Sequence, residues 1–128
     1  MRLLLDTHIA LWAVIGSRAL PARAAEAILA ADEVFVSVAT LWEIAIKHAL
    51  AKGSMPVSAA QALTAFEEAG YARLDIRPAH ALRVELLPPI HRDPFDRLLV
   101  AQAQAEPLIL LTADPVLAGY GTAVMNTG

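Results

Sequence analysis

The 128-residue chain is read as an α/β protein, a three-layer α/β/α sandwich around a central, mostly parallel sheet. Two observations predict this. Short apolar runs alternate along the chain with longer stretches of helical periodicity, and strands separated by helices pair in parallel. The runs Leu3-Leu4-Leu5, Val34-Phe35-Val36 and Leu108 to Leu111 carry no polar interruption, as expected of strands covered on both faces rather than one. A chain of this length forms one domain and buries roughly two thirds of the surface exposed when unfolded.

The elements follow in order. Arg2 to Asp6 is the first strand, and Thr7 to Ile15 a helix ended by Gly16-Ser17. Pro21 suits a helix start, and Ala22 to Ala31 is alanine-rich with Ile28 and Leu29 toward a core. Glu33 to Ser37 is the second strand, and Ser37 caps a helix carrying Leu41, Trp42, Glu43, Ile44, Ile46 and Lys47 to a stop near Gly53. After a turn at Gly53-Ser54-Met55-Pro56, Ser58 caps a helix to about Ala69, closed by Gly70. Tyr71 to Ile76 is the third strand, and Pro78 opens a helix to about Leu87 that Pro88-Pro89 ends. Phe95 to Ala105 is helical, Leu108 to Thr112 is the fourth strand, Pro115 to Ala118 a single turn and Thr122 to Met125 a last short strand.

Composition narrows the function. There is no cysteine, which excludes disulfides, thiolate metal sites and a cysteine nucleophile, and suits a reducing compartment. A charge interrupts the N-terminal apolar run at Asp6, so no signal peptide is read there, and no run reaches the ~18 residues of a membrane span; a cytoplasmic protein is expected. Apolar residues make up 57% of the chain, above the usual ~45–50%, which points to apolar surface facing a partner. The net charge of -3 argues against a broad basic surface, although Arg92, Arg97 and Lys47 concentrate positive charge beside acids.

Those acids are the most informative feature. Asp6, Glu43, Asp96 and Asp114 each sit just past a strand-like run or on the first turns of the following helix. In an open parallel sheet the strand ends form the ligand crevice, so the four converge. Two carboxylates about 4 Å apart repel by roughly 4 kcal/mol at an effective dielectric near 20, so such a cluster asks for a cation. Each acid also has a plainer reading. Asp6 and Asp114 suit helix caps, Glu43 an i, i+4 pair with Lys47, and Asp96 a solvated charge favoured by the helix dipole. Asp93, before Pro94, is better read as the cap of its helix than as a ligand. The four histidines show no metal-ligand spacing; His91, beside Arg92 and Asp93, is the one worth testing as a phosphate contact or a support for the ligands.

Leu4-Leu5-Asp6-Thr7-His8, Ser37 through Trp42-Glu43-Ile44-Ala45-Ile46-Lys47, Asp93 through Ala103, and Leu111-Thr112-Ala113-Asp114 occur in an order and spacing that resemble the PIN-domain ribonucleases. Within them the chain is similar to the VapC-type toxins of type II toxin-antitoxin systems, over its whole length. The resemblance implies a single PIN domain over residues 1–128. It also implies that Asp6, Glu43, Asp96 and Asp114 hold Mg2+ or Mn2+ and activate water to cleave RNA. It further implies a cognate antitoxin and a homodimer. Thr7, Asp93 and Thr112 are read as groups supporting the ligands, and Arg92, Arg97 and Lys47 as RNA contacts.

Two other classes are weighed. A phosphoacceptor signalling domain also gathers acids at strand ends, yet it needs a lysine after a late strand and none follows Lys52. A catalytically silent PIN-like scaffold binding RNA or protein is the second; retention of all four mutually repelling acids counts against it.

Overall fold

In the computed structural model, which describes residues 1–50 and 55–128, five strands form one sheet in the order β3-β2-β1-β4-β5, with every neighbouring pair parallel. The elements are β1 (Arg2–Leu5), α1 (Thr7–Ile15), α2 (Ala22–Ala30), β2 (Glu33–Ser37), α3 (Val38–Ala49), α4 (Ala59–Glu68), β3 (Ala72–Leu74), α5 (Pro78–Val84), α6 (Pro94–Ala105), β4 (Ile109–Thr112), a 3-10 turn (Pro115–Tyr120) and β5 (Val124–Asn126). The expected turn at residues 53–54 lies outside the described residues.

The central strand shows why the leucine run is uninterrupted. Leu3, Leu4 and Leu5 are all fully buried, but alternate side chains leave a strand on opposite faces. Leu3 and Leu5 pack with Ile9, Ile44, Phe66 and Leu111 on one side. Leu4 packs with Leu99, Val100, Leu110 and Leu117 on the other. Two cores thus meet across one sheet, and truncating any of these leucines to Ala costs about 2–5 kcal/mol.

Local signals set the boundaries. Gly16 ends α1 in a left-handed conformation (φ 67°) that a side chain would strain. Ser58 and Gln61 form a reciprocal capping box on α4. The third strand and the fifth helix are each three residues shorter than expected. The third strand keeps only Ala72–Leu74, because as an edge it pairs with β2 alone. The fifth helix stops at Val84 rather than Leu87: Leu87 precedes a proline, which disfavours helical backbone, and the carbonyls of Val84, Leu87 and Pro88 in the turn that follows all accept from the Arg97 guanidinium.

The strand order fixes where a ligand can sit. The chain runs outward from β1 through β2 to β3 and then returns to lay β4 on the other side of β1. The point where the order reverses lies between β1 and β4, and the crevice beyond their carboxyl ends is the usual site in such sheets.

Candidate metal centre

Asp6 directly follows β1 and Asp114 lies two residues past β4, so both acids stand at the switch point. A single hydroxyl joins them: Thr112 Oγ1 donates to Asp6 Oδ2 at 2.6 Å and accepts from the Asp114 backbone N–H at 3.0 Å. The expected capping role of Asp6 is not seen, since its side chain accepts no bond from the start of α1. Asp114 does cap, its Oδ1 accepting from the Val116 N–H at 2.9 Å, and its Oδ2 remains turned to the cluster.

Glu43 comes from the second turn of α3 and is buried, so its pair with Lys47 is not a surface pair. Thr7 Oγ1 donates to Glu43 Oε1 at 2.7 Å and the Lys47 ammonium holds Oε2, so each oxygen already has a partner. Burial works against the Lys47 charge, but the Glu43 carboxylate, with Asp93 and Asp96 behind it, holds the ammonium above its ordinary range. Lys47 is therefore engaged inside the cluster.

Asp96 sits one turn into α6, where Asp93 supplies the cap through bonds from the Phe95 and Asp96 N–H groups at 2.8 and 3.0 Å. The Asp96 carboxylate accepts no hydrogen bond among the described residues. Burial first, then the charges of Asp6, Asp93 and Glu43, push its carboxyl up to about 7. Burial also pushes Asp6 above its ordinary range; the Thr112 hydroxyl and His8 pull it back, and Glu43 adds to the rise. These shifts show the three acids to be electrostatically coupled. Asp114 joins through His91, whose Nε2 lies 2.9 Å from Asp114 Oδ2 and 3.5 Å from Asp96 Oδ2.

These residues fit a divalent cation. Hard carboxylate oxygens are the donor set of Mg2+ and Mn2+, and a cation offsets the repulsion that keeps Asp96 near half protonation at neutral pH. His91, Asp96 and Asp114 each offer one atom within 4.8 Å of the others, but His91 is not a ligand in this arrangement. Its Nδ1 accepts from the Asp93 N–H at 3.0 Å, so the proton of the neutral ring is on Nε2, which donates to Asp114. His91 orients the acids.

One expectation is corrected. Arg97 does not face outward to meet RNA: its guanidinium donates to the carbonyls of Val84 and Pro88 and to the Tyr120 hydroxyl at 3.0–3.1 Å. It fastens α6 to the chain that follows α5. Arg92 is exposed beside the cluster. Sequence reasoning missed Gln102, fully buried on α6, whose Oε1 accepts from Ser37 Oγ at 2.6 Å. Ser37 caps α3, so Gln102 ties the helix bearing Asp96 to the helix bearing Glu43. Its one signal was an amide at a helix position that otherwise faces the core.

The chain belongs to the PIN domain family, whose model matches residues 3–121. Members of that family are generally nucleases and typically use divalent metals. Its fold is similar to that of a chain in the VapBC2 complex of Rickettsia felis bound to a promoter DNA fragment, at 16% identity and TM-score 0.71 over all of both chains. A toxin-antitoxin complex from Klebsiella pneumoniae is similar at 20% identity and TM-score 0.68, covering 98% of this chain and 97% of that one. DNA-bound VapBC from Salmonella typhimurium matches at 17% and 0.68, covering 100% and 99%. No curated protein matches in sequence.

Proposed function

We propose that this chain is the toxin of a type II toxin-antitoxin pair, a single PIN domain that works in the cytoplasm as a Mg2+- or Mn2+-dependent endoribonuclease. The observation that carries the reading is the meeting of acids from four elements at the sheet's switch point, where the half-buried Asp96 carboxylate accepts no hydrogen bond among the described residues and burial, with Asp6, Asp93 and Glu43, pushes its carboxyl up to about 7. A protein with no use for a cation gains nothing from that repulsion. Asp6, Asp96 and Asp114 would hold the ion directly, and Glu43 would join them wherever Lys47 yields Oε2. When bound, the cation supplies a water of lowered pKa and positive charge against the phosphate. The chain's own groups do the positioning. Thr112 fixes Asp6 through Oδ2, Thr7 fixes Glu43, and His91 turns Asp114 toward Asp96. Arg92, exposed next to the cluster, is left to meet the phosphate backbone.

The partner half of the proposal rests on apolar surface and on the similar folds in toxin-antitoxin complexes. Trp42 and Ile46 on α3 and Leu50 just past its end stand exposed at four-residue spacing, a stripe that suits an antitoxin segment or a second copy. The test incubates purified protein and Asp96→Asn with a mixed RNA pool in Mg2+, Mn2+ and EDTA. Cleavage in the metal arms alone, lost in the variant with an unchanged circular dichroism spectrum, is expected. Cleavage by the variant at the wild-type rate rejects the site. Co-expression with the neighbouring reading frame tests the pairing: relief of growth arrest and copurification are expected, and neither occurring rejects the toxin assignment.

A further inference from the structure

We propose that a small cleft beside the acidic cluster is a nucleobase site, seating one unpaired base of the RNA next to the phosphate being cut. This rests on the ribonuclease reading and adds where the substrate is gripped. The cleft, about 220 Å3, is lined by Asp6, His8, Ile9, Trp12, Ala113 and Asp114. Two of these residues belong to the cluster itself, so whatever fills the cleft lies within one nucleotide of a phosphate held there.

The lining chooses the occupant. His8 is exposed and Trp12 half-buried, one helical turn apart on α1, with ring centroids 5.7 Å apart and planes tilted by 45°. An aromatic pair of this kind, backed by Ile9 and Ala113, offers ring faces against which a planar group stacks. The carboxylates on the rim reject a phosphate unless a cation stands between, but accept a neutral ring with N–H edges. Its volume suits a single ring system, with the rest of the nucleotide outside. An unpaired base meets every condition, and a duplex, whose bases are stacked inside, does not.

The experiment uses a fluorescein-labelled hexaribonucleotide and a series in which one position at a time is abasic. Binding is read by anisotropy in Ca2+, so that a cation stands between the carboxylates and the phosphate, and cleavage in Mg2+, for wild type, His8→Ala and Trp12→Leu. Base–aromatic stacking predicts a roughly 5- to 150-fold loss of affinity for Trp12→Leu and a smaller loss for His8→Ala. At one position the abasic substitution should weaken wild type by a similar factor and leave Trp12→Leu unaffected. Trp12 is one of only two tryptophans, so in Trp42→Phe protein its fluorescence reports the site alone, and quenching by the hexamer but not by an all-abasic backbone is expected. Affinity within about twofold of wild type in both variants, with no quenching, overturns the base site while leaving the nuclease intact. Variants that lose antitoxin binding but keep RNA binding overturn it as well, since the cleft then takes a protein side chain. If wild type neither binds nor cuts RNA, the proposed function fails and this site with it. His8 is exposed, so His8→Ala remains informative if Trp12→Leu unfolds.

Discussion

Replacing Asp96 by Asn should stabilise the metal-free protein, and the gain should grow with pH. The Asp96 carboxyl is raised from 3.8 to about 7 in the folded protein. An acid with a raised folded pKa binds its proton more tightly in the native state, so its contribution is fully present below pH 3.8 and is lost as pH rises through about 7. The largest penalty this allows is roughly 4 kcal/mol, and the partial solvent access of the side chain reduces it to about 1–2 kcal/mol. For a chain of this size that corresponds to about 3–8 °C in Tm. Asn keeps the volume, and no hydrogen bond to the carboxylate is lost, because among the described residues none is made.

The assay is a set of thermal melts of wild type and Asp96→Asn in EDTA between pH 4 and pH 8. The curves should nearly coincide at pH 4, separate across pH 4–7 with the variant higher, and run parallel above. Saturating Mg2+ at pH 8 should reverse the order, since the intact site alone gains the full binding free energy of the ion. A variant that melts at or below wild type at pH 8 in EDTA, or a gap that ignores pH, refutes the claim that repulsion is stored at Asp96.

Mn2+ affinity, read by calorimetry, should rise as pH goes from 5.5 to 7, approaching about tenfold per unit while Asp96 must lose its proton, and level off above; a flat profile would remove Asp96 from the ligand set. Thr112→Val should weaken Mn2+ binding about 10- to 100-fold and cost about 1–3 kcal/mol in denaturant melts, because Asp6 Oδ2 and the Asp114 N–H lose their shared partner; unchanged affinity would make the hydroxyl dispensable. Gln102→Leu should cost a similar stability by leaving the buried Ser37 O–H without its acceptor, and should lower metal affinity more than an equally destabilising Leu99→Ala. Equal effects of the two would reduce Gln102 to packing.

The residues legible in the sequence are those whose signals are local. The leucines of β1, the Ser37, Ser58 and Asp93 caps and the proline that opens α6 each act through neighbours within four positions, and the observed elements follow them closely. The four acids were visible because strand ends are visible, and a parallel sheet brings strand ends together whichever strand lies beside which. What the sequence does not display is every bond that depends on that order. Thr112 and Asp6 are 106 residues apart, Ser37 and Gln102 are 65 apart, and each pair forms only because β4 returns to the side of β1.

His91 and Arg97 show what decides a polar residue's role when type and position do not. Both lie in the most recognisable segment, both could have met a phosphate, and they are six residues apart. Arg97 faces the place where Pro88-Pro89 breaks a helix, and the Val84 and Pro88 carbonyls, each already bonded to one backbone N–H, keep a second lone pair that the guanidinium takes. His91 precedes the break's far side, where the Asp93 N–H caps its Nδ1 and leaves one proton directed at Asp114. The two roles therefore follow from the backbone groups within reach, turn carbonyls for Arg97 and the Asp93 N–H for His91. A Pro88→Ala substitution that let α5 extend would remove the carbonyls holding Arg97, and the loosened start of α6 would be read first as a drop in metal affinity at Asp96.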